Sequence, residues 1–130
     1  MNRALEHAPD NAEINFALGN LALEKGDRKE ARQFYRRTLE LEPRHSSVYN
    51  NLGVIADEEG HFDLARRFFA MSINCEPDDA KSWYLLARAS LRLNEPEPAI
   101  RAVDRALELA PGQVRYQELR VEILKMTSVD

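Results

Sequence analysis

Cysteine is almost absent from this sequence, and long apolar segments are missing altogether. The single Cys75 cannot form a disulfide within the chain, so the fold depends on the burial of apolar side chains. No stretch approaches the roughly 18 consecutive apolar residues that a membrane span requires. The opening segment, MNRALEHAPDNAEINFALGN, has no apolar core behind a basic start, as a signal peptide would. We therefore expect a soluble protein with a cytoplasmic location.

Positive charge is also in the minority. The 18 lysines and arginines face 22 aspartates and glutamates, so the net charge of -4 gives no global attraction to nucleic acid or anionic lipid. Hydrophobic residues nevertheless make up 44% of the 130 residues, which is typical of a folded domain with its own core. The composition predicts a single domain spanning residues 1–130.

Groups of side chains that support catalysis or metal binding are lacking as well. The three histidines, His7, His45 and His61, have no partner at metal-ligand spacing, and no acidic run has the alternating oxygen ligands of a calcium loop. No glycine-rich phosphate loop follows a predicted strand. The sequence thus predicts no catalytic residue, no metal site and no cofactor.

Proline is infrequent, yet four of the six prolines are evenly spaced. Pro9, Pro43, Pro77 and Pro111 follow one another at a constant interval, which we call the repeat period, and neighbouring positions recur at the same interval. The clearest columns are Leu18, Leu52 and Leu86; Gly19, Gly53 and Ala87; Ala31, Ala65 and Ala99; and Tyr35, Phe69 and Val103. Recurrence at a fixed offset indicates three copies of one structural unit, over residues 12–45, 46–79 and 80–112.

Each unit contains two stretches of apolar residues at helical spacing, separated by a turn signal. The signal is Gly26-Asp27 in the first unit, Gly60-His61 in the second and the run NEPEP in the third. Glycine suits the left-handed conformation that ends a helix, and proline is tolerated in the first turn of a helix. We therefore predict two antiparallel helices per unit, with Pro43 and its counterparts ending the second helix.

The pattern of the second unit resembles that of the tetratricopeptide repeats. The matching residues are Tyr49, Leu52, Gly53, Ala65, Phe69 and Pro77; the third unit departs at Ala87 and Val103, and the first has Asn15 in place of the first aromatic. The resemblance implies an all-α fold, a right-handed superhelix of antiparallel helix pairs. Residues 1–8 match the tail of a second helix from a preceding repeat, as in a piece of a longer protein or an end completed by another subunit. Residues 113–126 are predicted to form a C-terminal capping helix.

The resemblance also implies a concave groove lined by the first helices. Helical spacing places eight candidate peptide-binding residues there: Phe16, Asn20, Asn50, Asn51, Lys81, Tyr84, Leu85 and Arg88. Asparagine amides both donate to and accept from a peptide backbone. The charge of this face changes from acidic in the first two units to basic in the third, which fits either a peptide of matching polarity or an ordinary solvated surface.

A carboxylate clamp, by which chaperone-binding members of the family hold a C-terminal carboxylate, is matched only in part. Asn20, Asn51 and Lys81 agree with it, whereas Phe16 and Leu85 replace two of its cations. This substitution of apolar for cationic side chains disfavours the clamp and indicates an apolar pocket instead.

The leading interpretation is a non-catalytic protein-interaction scaffold that binds a peptide or helix of a partner protein in its groove. One alternative is a regulatory or substrate-presenting arm of a larger enzyme such as a glycosyltransferase. Another is a homo-oligomer formed through the incomplete N-terminal end. RNA binding is disfavoured because the arginines of the second helices are interspersed with acidic residues and lack aromatic side chains for base stacking.

Overall fold

The computed structural model describes residues 11–127, and within that range the chain forms seven α-helices and no strand. They are α1 (Ala12–Glu24), α2 (Arg28–Leu41), α3 (Ser46–Glu58), α4 (Phe62–Cys75), α5 (Ala80–Arg92), α6 (Pro96–Leu109) and α7 (Val114–Thr127). The predicted all-α class is confirmed. The predicted helix tail at residues 1–8, and oligomerisation through it, concern residues outside the described range. None of the seven helices is both long and apolar enough to cross a membrane.

The chain divides between Val48 and Tyr49 into two compact units, which are not the three repeat units of the sequence. From here on, the first and second unit mean these two compact units. The first unit contains α1 and α2, and the second contains α4 to α7 with most of α3. Connectors of three or four residues join successive helices, so neighbouring helices that pack together run antiparallel.

Several helices begin at a side chain that caps the first turn. Asn11 Oδ1 accepts from the backbone N–H of Ile14 (3.0 Å), and Asp79 Oδ1 accepts from that of Lys81 (3.1 Å). A cap of this kind satisfies one of the unpaired donors of a helix start and stabilises a helix by about 1 kcal/mol. These bonds fix where α1 and α5 begin, and hence which of their residues share a face.

The turn inside each helix pair uses the left-handed backbone conformation at one repeated position. Gly26 and Gly60 both have φ +83°, and Asn94 has φ 60° at the equivalent position of the third pair. Asparagine is the non-glycine residue that tolerates this region best, which explains how the third turn closes without glycine.

Alanine at position 60 should therefore strain the turn. We expect Gly60→Ala to lower the free energy of unfolding by about 1 kcal/mol because alanine disfavours positive φ. Gly112→Ala is the matched control: no atom lies within 4 Å of the added Cβ and its φ is not in the left-handed region. Urea denaturation of the two variants tests this, and equal midpoints would contradict it.

Close helix contact in the first unit depends on a glycine. A Cβ built on Gly19 would lie 2.5 Å from Cε1 of Tyr35, so the Tyr35 ring fills the space that a side chain would need. The ring is fully buried, and its hydroxyl donates to Oδ1 of Asn20 (2.5 Å). The glycine column predicted from the sequence is thus the place where α2 lies against α1.

The second unit repeats this arrangement and adds a buried polar network. A Cβ on Gly53 would overlap the buried ring of Phe69. Beside it, Asn50 Nδ2 on α3 donates to Ser82 Oγ on α5 (2.9 Å), and Ser72 Oγ on α4 lies 3.0 Å from the same hydroxyl. Buried polar atoms that satisfy one another fix the relative placement of α3, α4 and α5.

Two connectors are tied down by a side chain of the helix that follows. Trp83 Nε1 donates to the carbonyl of Pro77 (2.8 Å), and Gln117 Nε2 donates to the carbonyl of Pro111 (2.9 Å). Trp83 and Gln117 occupy equivalent positions, one repeat period apart. The same bond is therefore made once by an aromatic and once by an amide side chain.

Candidate peptide-binding cleft

One face of α5 supplies the first wall of a cleft in the second unit. Lys81, Tyr84, Arg88 and Arg92 follow one another at intervals of three or four residues, so they lie along one side of the helix. The small buried residues Ala87 and Ala89 flank this face, one on each side, and belong to two different core clusters. Packing on both flanks holds the cationic face toward the cleft.

The second wall is α7. Tyr116, Leu119 and Ile123 anchor this helix in the core cluster that α6 shares. Anchored in this way, α7 presents Arg115, Glu118, Glu122 and Met126 to the cleft.

Between these walls lies a cavity of about 540 Å³. A second cavity of about 430 Å³ shares Tyr84, Arg88 and Arg115 with it and extends to Lys81. Cations therefore concentrate at the end of the cleft near Lys81 and Arg115, whereas Glu118 and Glu122 line the larger cavity along α7. A volume of this size accommodates a few side chains of a peptide.

A buried carboxylate holds two of these arginines. Oδ2 of Asp57, whose side chain is 5% exposed, accepts from Nη1 of Arg92 (2.5 Å) and from Nη2 of Arg88 (3.5 Å). Oδ1 of Asp57 and Nε of Arg88 are buried without a hydrogen-bond partner among the described residues. Both guanidinium groups also lie over aromatic rings, that of Arg88 at 5.7 Å from the Tyr84 ring and that of Arg92 at 5.4 Å from the Phe62 ring. The carboxylate and the aromatic rings together hold the two guanidinium groups in place.

The floor of the basic end is aromatic. The rings of Tyr84 and Tyr116 are stacked, with centroids 4.7 Å apart and an interplanar angle of 24°. Burial raises the pKa of Tyr116 above its usual value, and the charge of Asp79 adds to this, while Arg115 opposes it. Tyr116 therefore stays a neutral phenol at physiological pH and contributes an uncharged surface beneath the cations.

The structure brings three of the predicted groove residues together in this cleft, namely Lys81, Tyr84 and Arg88. Leu85 also borders it but is only 4% exposed, because it packs with Phe69 in the core. Asn50 is 6% exposed and its amide is bonded to Ser82, so it stabilises the interior. Asn51 is half-buried on α3.

The other two predicted groove residues, Phe16 and Asn20, belong to the first unit. The Phe16 ring lies 4.6 Å from the His45 ring and 6.2 Å from the Tyr35 ring. Oδ1 of Asn20 accepts a hydrogen bond from the hydroxyl group of Tyr35. Both side chains thus pack within the first unit itself.

His45 also takes part in a group that the sequence analysis missed. Its Nε2 lies 3.3 Å from Glu13 Oε1, and ligand atoms of Glu13, Glu42 and His45 all fall within 4.8 Å of one another. Both carboxylates are exposed to water. The His45–Glu13 contact accounts for this group as a brace between α1 and the connector that precedes α3.

The cleft residues of α7 were not predicted from the sequence, which indicated only a capping helix there. A signal for them was present: Val114 lies one repeat period after Ala80, so Arg115 and Glu118 are equivalent to Lys81 and Tyr84. The acidic character predicted for the groove in the second repeat needs a correction. Asp57 on α3 contributes to it in the sequence, but in the structure Asp57 is buried and forms ion pairs with Arg88 and Arg92.

The repeat and the helix pairs agree with the comparisons to known proteins. One family model, described as tetratricopeptide repeat, matches the chain over residues 1–54, 22–88 and 56–123. The chain belongs to the tetratricopeptide-repeat family. No curated protein sequence matches this tetratricopeptide-repeat chain.

Several solved structures, two of them tetratricopeptide-repeat domains, share its fold. The first such domain of Spaghetti (RPAP3), solved with the HSP90 peptide SRMEEVD, has a TM-score of 0.86 at 19% identity, over 91% of this chain and 94% of that one. The corresponding domain of Arabidopsis OM64 has a TM-score of 0.83 at 19% identity, over 91% and 98%. Pseudomonas aeruginosa pilF has a TM-score of 0.85 at 22% identity, over 95% of this chain and 56% of that one. At such identities the likeness shows the fold.

Proposed function

We propose that this chain is a non-catalytic scaffold whose cleft between α5 and α7 holds a peptide or helix of a partner protein. Tetratricopeptide repeats are protein-interaction modules, and the first domain of Spaghetti (RPAP3) has been solved with a bound peptide. The observation that carries the proposal for this chain is the cavity of about 540 Å³ that Tyr84 lines together with three arginines and two glutamates.

The charges of the cleft favour a segment with an acidic portion. Lys81 and Arg115 are exposed, and Arg88 lies between them over the Tyr84 ring. Asp57 offsets the charge of Arg88 and Arg92 but is itself buried, so the exposed cations dominate the field at this end. A carboxylate placed here would gain charge-assisted hydrogen bonds.

Apolar contact would supply the rest of the binding energy. Leu91, Leu119 and Met126 line the larger cavity beside Tyr84. Aromatic and methionine side chains in a partly enclosed cavity are typical anchors for a partner's apolar side chain. The proposed ligand is therefore a short segment that combines an acidic group with an apolar side chain.

Reversal of two exposed cations tests this assignment. We expect Lys81→Glu with Arg115→Glu to weaken binding of an acidic peptide at least tenfold, because the acidic group of the peptide would then meet two carboxylates instead of two cations. The control is Arg67→Glu with Arg101→Glu, which makes the same charge change at two arginines on α4 and α6, outside the cleft.

The probe is a phage-displayed library of random peptides, panned against the wild-type protein. Synthetic copies of the enriched peptides are then measured by fluorescence anisotropy with both double variants, after circular dichroism has shown that each keeps its helix content. Binding lost with the cleft variant and kept with the control supports the proposal. No enrichment, or equal affinity for all three proteins, contradicts it.

A further inference from the structure

The outer side of α7 carries three exposed apolar side chains that nothing in residues 11–127 covers, and Gln117, which bonds the Pro111 carbonyl, lies between them. Val114 is 62% exposed, Val121 53% and Leu124 40%. At about 100° per residue these three side chains lie on the side of the helix opposite Tyr116 and Ile123, which are buried. A helix that only capped the repeats would be polar on this side. We call Val114, Val121 and Leu124 the outer stripe.

The repeat shows what this side of the helix normally does. The first helices begin at Ala12, Ser46 and Ala80, and α7 begins one repeat period further on at Val114. Val121 is accordingly equivalent to Gly19, Gly53 and Ala87, all three of which are buried. In the first two pairs this position lies directly beneath the second helix. The outer stripe is therefore a surface shaped for helix packing.

The sizes of the paired residues indicate what kind of helix fits. Glycine faces Tyr35 in the first pair and Phe69 in the second, whereas the larger Ala87 shares its buried cluster with the smaller Val103. A larger residue on the first helix is thus matched by a smaller one on the second helix at this crossing. Valine at position 121 leaves no room for a ring, so a helix with a small or medium aliphatic residue at the crossing is required.

The α7 helix of a second copy meets this requirement. In an antiparallel pair centred next to Val121, Val121 and Leu124 of one copy lie against the same part of α7 in the other, and valine packs near valine. Glu118 and Lys125 border the stripe on the same side and lie at nearly equal distances from its centre. A two-fold axis places Glu118 of each copy opposite Lys125 of the other, which forms two equivalent ion pairs.

We propose that the chain forms a symmetric dimer through antiparallel α7 helices, with Val121 and Leu124 at its centre. The cleft residues Arg115, Glu122 and Met126 lie on another side of α7 and stay accessible, whereas Glu118 lies between the cleft and the dimer contact. Each copy contributes a single helix, much less than the roughly 800 Å² per partner of a stable interface, so we expect a dissociation constant of about 10 to 100 μM.

Sedimentation equilibrium over about 5 μM to 1 mM measures this association, a range chosen to bracket that dissociation constant. The wild-type mass should rise from 14.9 kDa toward twice that value. Leu124→Glu should remain monomeric throughout because it places charge in the stripe. Leu64→Glu is the matched control, since Leu64 on α4 is also 40% exposed, and it should associate as the wild type does.

A charge exchange distinguishes the antiparallel arrangement from unspecific apolar association. Glu118→Lys should weaken the dimer at least fivefold because lysine would then face lysine. Adding Lys125→Glu should restore the affinity because each pair is re-formed with its charges exchanged. A monomeric wild type overturns the proposal, and so does a dimer that Leu124→Glu leaves intact or a double exchange that fails to restore affinity.

Discussion

Alanine at position 53 should lower the free energy of unfolding by about 1–3 kcal/mol, the usual cost of overpacking a core. Alanine is the better helix former by about 0.5–1 kcal/mol, so local propensity alone predicts the opposite sign. Packing decides the outcome because the new methyl group would overlap the ring of Phe69, which is fully buried. The result would show that this glycine serves close approach between α3 and α4.

A second substitution makes the test specific. Gly53→Ala combined with Phe69→Val reproduces the Ala87 and Val103 combination of the third pair. Phe69→Val alone should destabilise the protein by about 2 kcal/mol through the cavity it leaves. The double variant should then lose clearly less stability than the two single losses predict together, by about 1 kcal/mol or more. Urea denaturation gives all three values, and additive losses would contradict the exchange of volume between these positions.

The Asp57→Asn substitution removes the charge of Asp57 and should lower the free energy of unfolding by about 1–3 kcal/mol. This is less than the roughly 3–5 kcal/mol that loss of one member of a buried ion pair generally costs. We expect the smaller value because the side chains of Arg88 and Arg92 are 30% and 42% exposed, so water solvates them in part once the carboxylate is gone. The variant should also bind acidic peptides with changed affinity, since both arginines lose their fixed position. Urea denaturation and fluorescence anisotropy measure the two effects.

Asp78→Asn provides the matched control for this effect. Asp78 lies 3.6 Å from Arg105, but its side chain is 87% exposed. Loss of this surface contact should leave the denaturation midpoint unchanged within error. If the two asparagine variants lost the same stability, burial of Asp57 would not be what makes its ion pairs important.

The helix pairs were predictable because their signals are local and repeat. Pro43, Pro77 and Pro111 each follow the end of a helix, which a proline cannot continue because it lacks a backbone donor, and Gly26 and Gly60 mark the turns that need positive φ. Three copies in register turned these individually weak signals into a firm prediction. The same period extends to Val114, so the sequence alone already implied that α7 has a cleft face.

The cleft itself was less predictable because it depends on contacts between repeats. Asp57 and Arg92 are 35 residues apart, and only the packing of α3 against the later helices shows that one neutralises the other. Helical spacing placed Leu85 and Asn50 toward a groove, yet it does not say how wide the buried side of each helix is. Both residues lie at the margin of that side, and neighbouring helices cover them.

The tied connectors have a consequence for how such a chain can grow or shrink. Because Trp83 and Gln117 each secure the proline carbonyl six residues before them, the connectors at Pro77 and Pro111 are both held by the helix that follows. Duplication or deletion of the repeat between these two connectors would preserve such a bond at the new junction. Repeat number can therefore change in whole steps during evolution or engineering, without redesign of the junctions.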